Sequence, residues 1–124
     1  MATDNEKIVR GFCAAWTRKN IDELLSFFTP DAVYHNMPLE PLQGIAAIRS
    51  TIEMFAGPAE HIEFEMRALA SSGDIVFTER IDRFKMMGRT VALPVAGVFE
   101  VRHGKIAAWR DYFDMARWTK QAGG

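Results

Sequence analysis

From His61 to Met115 the sequence is a succession of alternating stretches separated by short turns. His61 to Ala70 sets Ile62, Phe64, Met66 and Ala68 against Glu63, Glu65, Arg67 and Leu69. Ser71-Ser72-Gly73-Asp74 turns the chain into a long stretch from Ile75 to Met87. Gly88-Arg89 leads into Thr90 to Arg102, and His103-Gly104-Lys105 into Ile106 to Met115. A period of two is the signature of a strand with one buried face. Strands joined so closely form successive hairpins, hence an antiparallel sheet.

Helices precede them. Thr3 and Glu6 have capping-box spacing, and Ile8, Val9, Phe12, Ala15 and Trp16 follow at helical spacing, which predicts a helix over Asp4 to Lys19. Asn20 and Glu23 repeat the signal before Ile21, Leu24, Leu25 and Phe28, a short second helix stopped by Thr29-Pro30-Asp31. Ala32 to Met37 is extended, and Pro38 and Pro41 bracket a loop ending at Gly44. Ile45, Ile48, Ile52 and Phe55 mark a third helix, closed by Gly57-Pro58. The pattern predicts one α+β domain over residues 1–124, with three N-terminal helices packed on a strongly curved, mostly antiparallel sheet. The Gly123-Gly124 end is expected to fray. Long strands twist and curve, so the concave face would surround a cavity closed at one end by the helices. Phe27, Phe28, Phe55, Phe84, Trp109 and Phe113 are its candidate walls. In the alternative, the same aromatics fill a solid core.

Charges on that face are the anomaly. Val76, Thr78, Arg80, Asp82, Phe84 and Met86 share one side of a strand, apolar at both ends and charged in the middle. Ala107, Trp109, Asp111, Phe113 and Met115 repeat the anomaly with one carboxylate. Arg110, Tyr112 and Asp114 have the opposite parity and serve the wet face. Buried charges are costly unless paired, and a solid core has no use for Arg80, Asp82 and Asp111. Were the three to meet in one apolar pocket, desolvation and repulsion would favour one bound proton, shared by the coupled group. A protonated acid and an ionised base in a dry site can act together on one substrate. Tyr34 and Asn36, in Val-Tyr-His-Asn-Met, are a second i, i+2 pair. Both can hold a water, and Asp111 as a third partner would deprotonate it.

Composition removes several classes. The chain has 124 residues, 15 basic and 16 acidic, with net charge -1, which favours neither nucleic acid nor an anionic membrane. The start, Met-Ala-Thr-Asp-Asn-Glu-Lys, is polar and acidic, so no secretory signal is expected, and no apolar run reaches the ~20 residues of a membrane span. Cys13 is the single cysteine and reads as a buried, inert thiol. A cytoplasmic location is expected. His35, His61 and His103 lack HxxxH or HxH spacing, so no metal is expected. No glycine-rich phosphate loop is present, and no organic cofactor is expected. Ile75, Phe77 and Ile81 share the outer side of their strand, an apolar patch that a homodimer would cover.

Together these residues resemble the limonene-1,2-epoxide hydrolase family, within the cone-shaped fold of nuclear transport factor 2, ketosteroid isomerase and the SnoaL-like polyketide cyclases. The likeness covers most of the chain. It is strongest from Thr78-Glu79-Arg80-Ile81-Asp82 through Gly97-Val98-Phe99-Glu100-Val101 and Gly104-Lys105-Ile106 to Trp109-Arg110-Asp111-Tyr112-Phe113-Asp114, and the Tyr-x-Asn element matches at Tyr34 and Asn36. The resemblance implies a one-step, cofactor-free addition of water to an apolar epoxide, cyclic or terpene-like, giving a vicinal diol. Asp111 would be the base, Tyr34 and Asn36 would hold the water, Asp82 would protonate the epoxide oxygen, and Arg80 would bridge the carboxylates. Phe84, Trp109, Phe113 and Phe55 would bind the substrate. Two other readings use the same cone: an isomerase like ketosteroid isomerase, and a small-ligand-binding domain without turnover.

Overall fold

The computed structural model describes residues 3–123. Helix α1 (Asp4–Ala15) begins at Thr3, whose hydroxyl accepts from the Glu6 N–H at 3.1 Å. The return arm of the capping box is not made, because the Glu6 carboxylate binds the Ser71 hydroxyl instead. A 3-10 turn (Trp16–Arg18) extends α1, and Lys19 ends it in the left-handed region, φ 54°. Asn20 caps α2 (Ile21–Leu25) through the Glu23 N–H at 3.0 Å. Then come β1 (Phe28–Asn36), β2 (Leu42–Gln43), α3 (Ile45–Ala56), β3 (Ala59–Ser72), β4 (Ile75–Met86), β5 (Arg89–Arg102), β6 (Lys105–Tyr112) and α4 (Met115–Ala122).

The α+β class is as expected; the helices are not. There are four α-helices among the described residues, and the first two are one long helical unit and a single short turn. Phe28 and Thr29 belong to β1, not to the end of α2. Pro30 sits exposed where the β1 register shifts, a place where a missing N–H costs no ladder bond. The last strand stops at Tyr112, short of the expected Met115. Asp114 accepts from the Ala116 N–H at 2.9 Å and starts α4, which lays Met115, Trp118 and Ala122 half-buried against the fold. The Gly124 part of the expected fraying lies outside the described residues. Gly123 caps α4 at φ 76°.

All strands join one six-stranded sheet in the order β2-β1-β6-β5-β4-β3. The run β3-β4-β5-β6 is the antiparallel meander that the alternation predicts. Strand β1 returns beside β6 in parallel, opposing Tyr34 to Trp109 and Asn36 to Asp111. Two bulges break the expected parities. An extra residue at Arg67 turns Ala68 outward and brings Leu69 onto the core. An extra residue at Ala107 makes Ile106, not Ala107, the buried partner of Trp109. Helix α1 fills the concave side: Phe12 meets Trp109, Phe28 and Phe27 edge-on, with centroids 5.0, 5.3 and 5.4 Å apart.

Candidate active site

Arg80 is among the largest fully buried side chains of the protein, at 0% exposure. Its position on β4 between Thr78 and Asp82 is set by the strand period. A guanidinium carries five N–H donors, and all are used. Nε donates to Asp82 Oδ1 at 2.9 Å. Nη2 donates to Asp82 Oδ2 at 2.8 Å and to Asp111 Oδ2 at 2.9 Å. Nη1 donates to Thr78 Oγ1 at 3.0 Å and to Asp111 Oδ1 at 3.3 Å. The Phe64 ring lies 5.0 Å from the guanidinium carbon.

The partners are fixed in turn. Asp111, 4% exposed, also accepts from the Trp109 indole N–H at 2.7 Å. Trp109 is clamped between Tyr34, stacked at 4.1 Å and 9°, and Phe99, stacked at 5.6 Å and 15°. The Tyr34 hydroxyl donates to Asn36 Oδ1 at 3.2 Å. That leaves the phenol lone pairs and the Asn36 amide hydrogens for a third molecule. Both side chains are buried, side by side on β1 next to Asp111.

The trio carries one positive and two negative charges. Burial pushes Asp82 up to about 6, against the pull of Arg80 and with help from Asp111. Burial works against the Arg80 charge too, but Asp111 and Asp82 outweigh it and hold its proton well above the usual range. Burial, then the Asp111 charge, raises Tyr34 well above the usual phenol range, so it stays a neutral donor. The Cys13 thiol is buried and pushed up to about 12, chiefly by desolvation.

Above the carboxylates lies a cavity, partly open to solvent. Asp82, Asp111, Tyr34 and Asn36 supply its polar spots, and Phe55, Phe84 and Phe113 stand in its walls as expected from the sequence. Trp109, Phe27 and Phe28 do not line it. Trp109 is 1% exposed and lies behind Tyr34, so it supports Asp111 rather than forming a wall. Arg80 lies below the floor and reaches the cavity only through its carboxylates. Sequence reasoning missed Trp16, Phe64, Leu93, Val95 and Trp118 in the lining. Among these, the face shared by Ile62 and Phe64 was the available signal. The described residues hold no group of three or more His, Cys, Asp and Glu side chains placed to share a metal ion. Nor do they hold a helix long and apolar enough to cross a membrane.

A polar pair on one strand, a carboxylate from another and a phenol–amide pair from a third thus converge under an apolar cavity. The family model for the limonene-1,2-epoxide hydrolase catalytic domain matches residues 3–123. Epoxide hydrolase EphG of Mycobacterium tuberculosis (strain ATCC 25618 / H37Rv) is 30% identical over 107 residues, covering 86% of this chain and 71% of that protein. The solved structure of an LEH-like epoxide hydrolase of M. tuberculosis superposes with a TM-score of 0.84 at 28% identity, over 95% of this chain and 88% of that one. A nuclear transport factor 2-like protein of Burkholderia pseudomallei K96243 gives a TM-score of 0.87 at 18% identity, over 99% and 100% of the two chains, which shows the fold alone. The chain belongs to the limonene-1,2-epoxide hydrolase family, on the cone fold shared with nuclear transport factor 2-like and SnoaL-like proteins.

Proposed function

We propose that the protein is a cofactor-independent epoxide hydrolase that adds water to an apolar, cyclic or terpene-like epoxide in one step. The observation that carries this reading is the Arg80 fork, shared between two carboxylates that open onto one apolar cavity. Family membership supports the reaction class. Tyr34 and Asn36 hold a water beside Asp111. Asp111 takes a proton from it as its oxygen attacks an epoxide carbon. The C–O bond on that carbon breaks, and Asp82 delivers its proton to the departing oxygen. Both product hydroxyls are then accounted for, and the trio still holds one proton, now on Asp111. Returning it to Asp82 resets the site. Phe55, Phe84 and Phe113 hold the substrate by its apolar body.

The test is a panel of cyclic and linear epoxides in ¹⁸O-labelled water, with and without exhaustive chelation. Diol carrying one labelled oxygen, formed equally well with EDTA, is the expected result. Failure to turn over any apolar epoxide, or activity lost to EDTA and restored by a divalent ion, would overturn the reading. The isomerase alternative predicts an enone shift without label uptake. We further propose that the chain works as a homodimer, paired through the outer face that carries Ile75, Phe77 and Ile81.

A further inference from the structure

Thr78, Gly97 and Asp111 lie in one row across three strands. Gly97 of β5 is the register partner of Thr78 on β4 and of Asp111 on β6. A Cβ built on Gly97 would lie 2.4 Å from Arg80 Nη1, 2.8 Å from Asp111 Oδ1 and 2.8 Å from Thr78 Oγ1. All three contacts are with the polar atoms of the trio's hydrogen-bond network, and all are closer than a real Cβ tolerates. Gly97 has no positive φ, so backbone conformation does not demand glycine here. Space does. Only a hydrogen at this crossing lets the guanidinium pass over β5 to reach Asp111. Thr78 completes the arrangement. Its hydroxyl accepts from Arg80 Nη1 at 3.0 Å and points its own hydrogen at the Gly97 carbonyl, 3.4 Å away. Without that acceptor, one N–H of a fully buried guanidinium loses its partner.

We propose that Gly97 and Thr78 are positioning residues that keep Arg80 shared between Asp82 and Asp111, and so set how firmly Asp82 holds its proton. The proposal rests on the paired acid–base reading above. The two holds on Arg80 are unequal. Asp82 sits two residues away on the same strand and takes Nε and Nη2 at 2.9 and 2.8 Å. Asp111 comes from another strand and takes Nη2 at 2.9 Å and Nη1 at 3.3 Å, the second being the longest of the five bonds and the one beside Gly97. Pressure at Gly97 therefore breaks the Asp111 side first. Asp82 would then be the better-paired carboxylate and lose its proton more easily. The acid would then be spent at a lower pH. The titratable groups that feel the trio from other elements are Tyr34 on β1 and Cys13 on α1. Both stay neutral through this range. Neither Gly97 nor Thr78 lines the cavity, so substrate contact is unchanged.

The experiment compares Gly97→Ala, Thr78→Val and Thr78→Ser with the wild type on an epoxide the wild type turns over. Gly97→Ala should lose ~10²-fold in kcat, the scale of a small misplacement of a reacting group. Its KM should stay within about twofold, and the alkaline limb of its kcat–pH profile should move to lower pH. Thr78→Val should show the same signature at about tenfold, and Thr78→Ser, which restores the acceptor, should recover most of the loss. Wild-type kcat and pH profile in Gly97→Ala or Thr78→Val would overturn the proposal, as would a lost kcat with unmoved limbs. If Gly97→Ala does not fold, the Thr78 pair decides. Carboxyl titration of Asp82 by ¹³C NMR reads the same point without turnover. A lower Asp82 pKa in Gly97→Ala or Thr78→Val supports positioning, and an unchanged one refutes it. If the wild type hydrolyses no epoxide while this titration still moves, the reaction assignment has failed and the positioning role has not.

Discussion

Arg80 and Asp111 meet across the backbone of Gly97. Arg80 and Asp82 are neighbours by strand period alone and would face each other in any β-conformation of this segment. Asp111 is 31 residues further on and arrives only when β4, β5 and β6 are all in register. A slip of one residue would turn its carboxylate to the outer face and replace it with Arg110 or Tyr112. The acid–guanidinium half of the site is thus local, whereas the base is delivered by the whole meander.

Asp82→Asn and Asp111→Asn should each remove most turnover and leave the fold intact. Positioned acids and bases contribute ~10²- to 10⁴-fold in rate. Either amide still fits the space and accepts one bond from Arg80. The double variant should be little worse than the poorer single one, because the groups act as a unit. Diol formation by purified Asp82→Asn at the wild-type rate would remove that residue from the mechanism, and the same holds for Asp111→Asn.

What the sequence disclosed follows from periodicity. Pairs at i, i+2, such as Tyr34 with Asn36 and Arg80 with Asp82, are legible because a strand sends both to one side. The parallel return of β1 beside β6, which brings the two pairs together, has no local signature. Bulges are equally silent: neither Arg67 nor Ala107 differs in type from its neighbours in a way that announces an extra residue. Helix α4 was hidden because Phe113 and Met115 prolong the alternation of β6, although Asp114 and the Met115–Trp118–Ala122 spacing carried the helical signal. Trp109 has the right parity for a wall, but parity does not say how deep a side chain lies, and Tyr34 stands in front of it.

Asp82 should leave a mark on stability as well as on rate. Its folded pKa, raised to about 6 from an ordinary 3.8, means that the native state binds more protons than the unfolded chain between those values. Its contribution is fully present below the unfolded pKa and is lost as pH rises through the folded one. Asn at position 82 cannot titrate, so the Tm of wild type relative to Asp82→Asn should fall from pH 4 to pH 6 and level off above. Taking the difference cancels the surface carboxylates Glu23, Asp31 and Glu65, whose own arginine or hydroxyl partners lower their pKa in both proteins. Parallel Tm profiles would show that Asp82 titrates normally. In activity, the same ionisation should appear as the alkaline limb, since the acid is spent once deprotonated.

Outer-face packing predicts a dimer. Phe77 is 47% exposed and Tyr112 45%, with Ile75 and Ile81 half-buried on the same side of the sheet. Pro94, Ala96 and Val98 continue that side on β5 and bring small apolar surface between them. A patch of this kind is covered most often by a two-fold contact with a second copy. Sedimentation at micromolar concentration should give about twice the chain mass of 14.0 kDa, and Phe77→Asp should shift it to the monomer. A 14.0 kDa species for the wild type would rule the pairing out.

Arg80→Lys separates charge from geometry. The ammonium keeps the positive charge between Asp82 and Asp111, so simple neutralisation survives. It has three N–H donors at a single point, whereas the guanidinium spreads five along a rigid fork. Here the fork spans Asp82 from Nε and Nη2, Asp111 from Nη1 and Nη2, and Thr78 from Nη1. Lysine cannot hold both carboxylates and Thr78 in that arrangement, and it also gives up the contact of the guanidinium with the Phe64 ring. One carboxylate should then swing free, and turnover should drop by ~10²-fold or more, as expected when a reacting group is misplaced. Both limbs of the pH profile should move, because each reports the shared proton. Wild-type turnover with an unmoved profile would make Arg80 a generic counter-ion and end its bridging role.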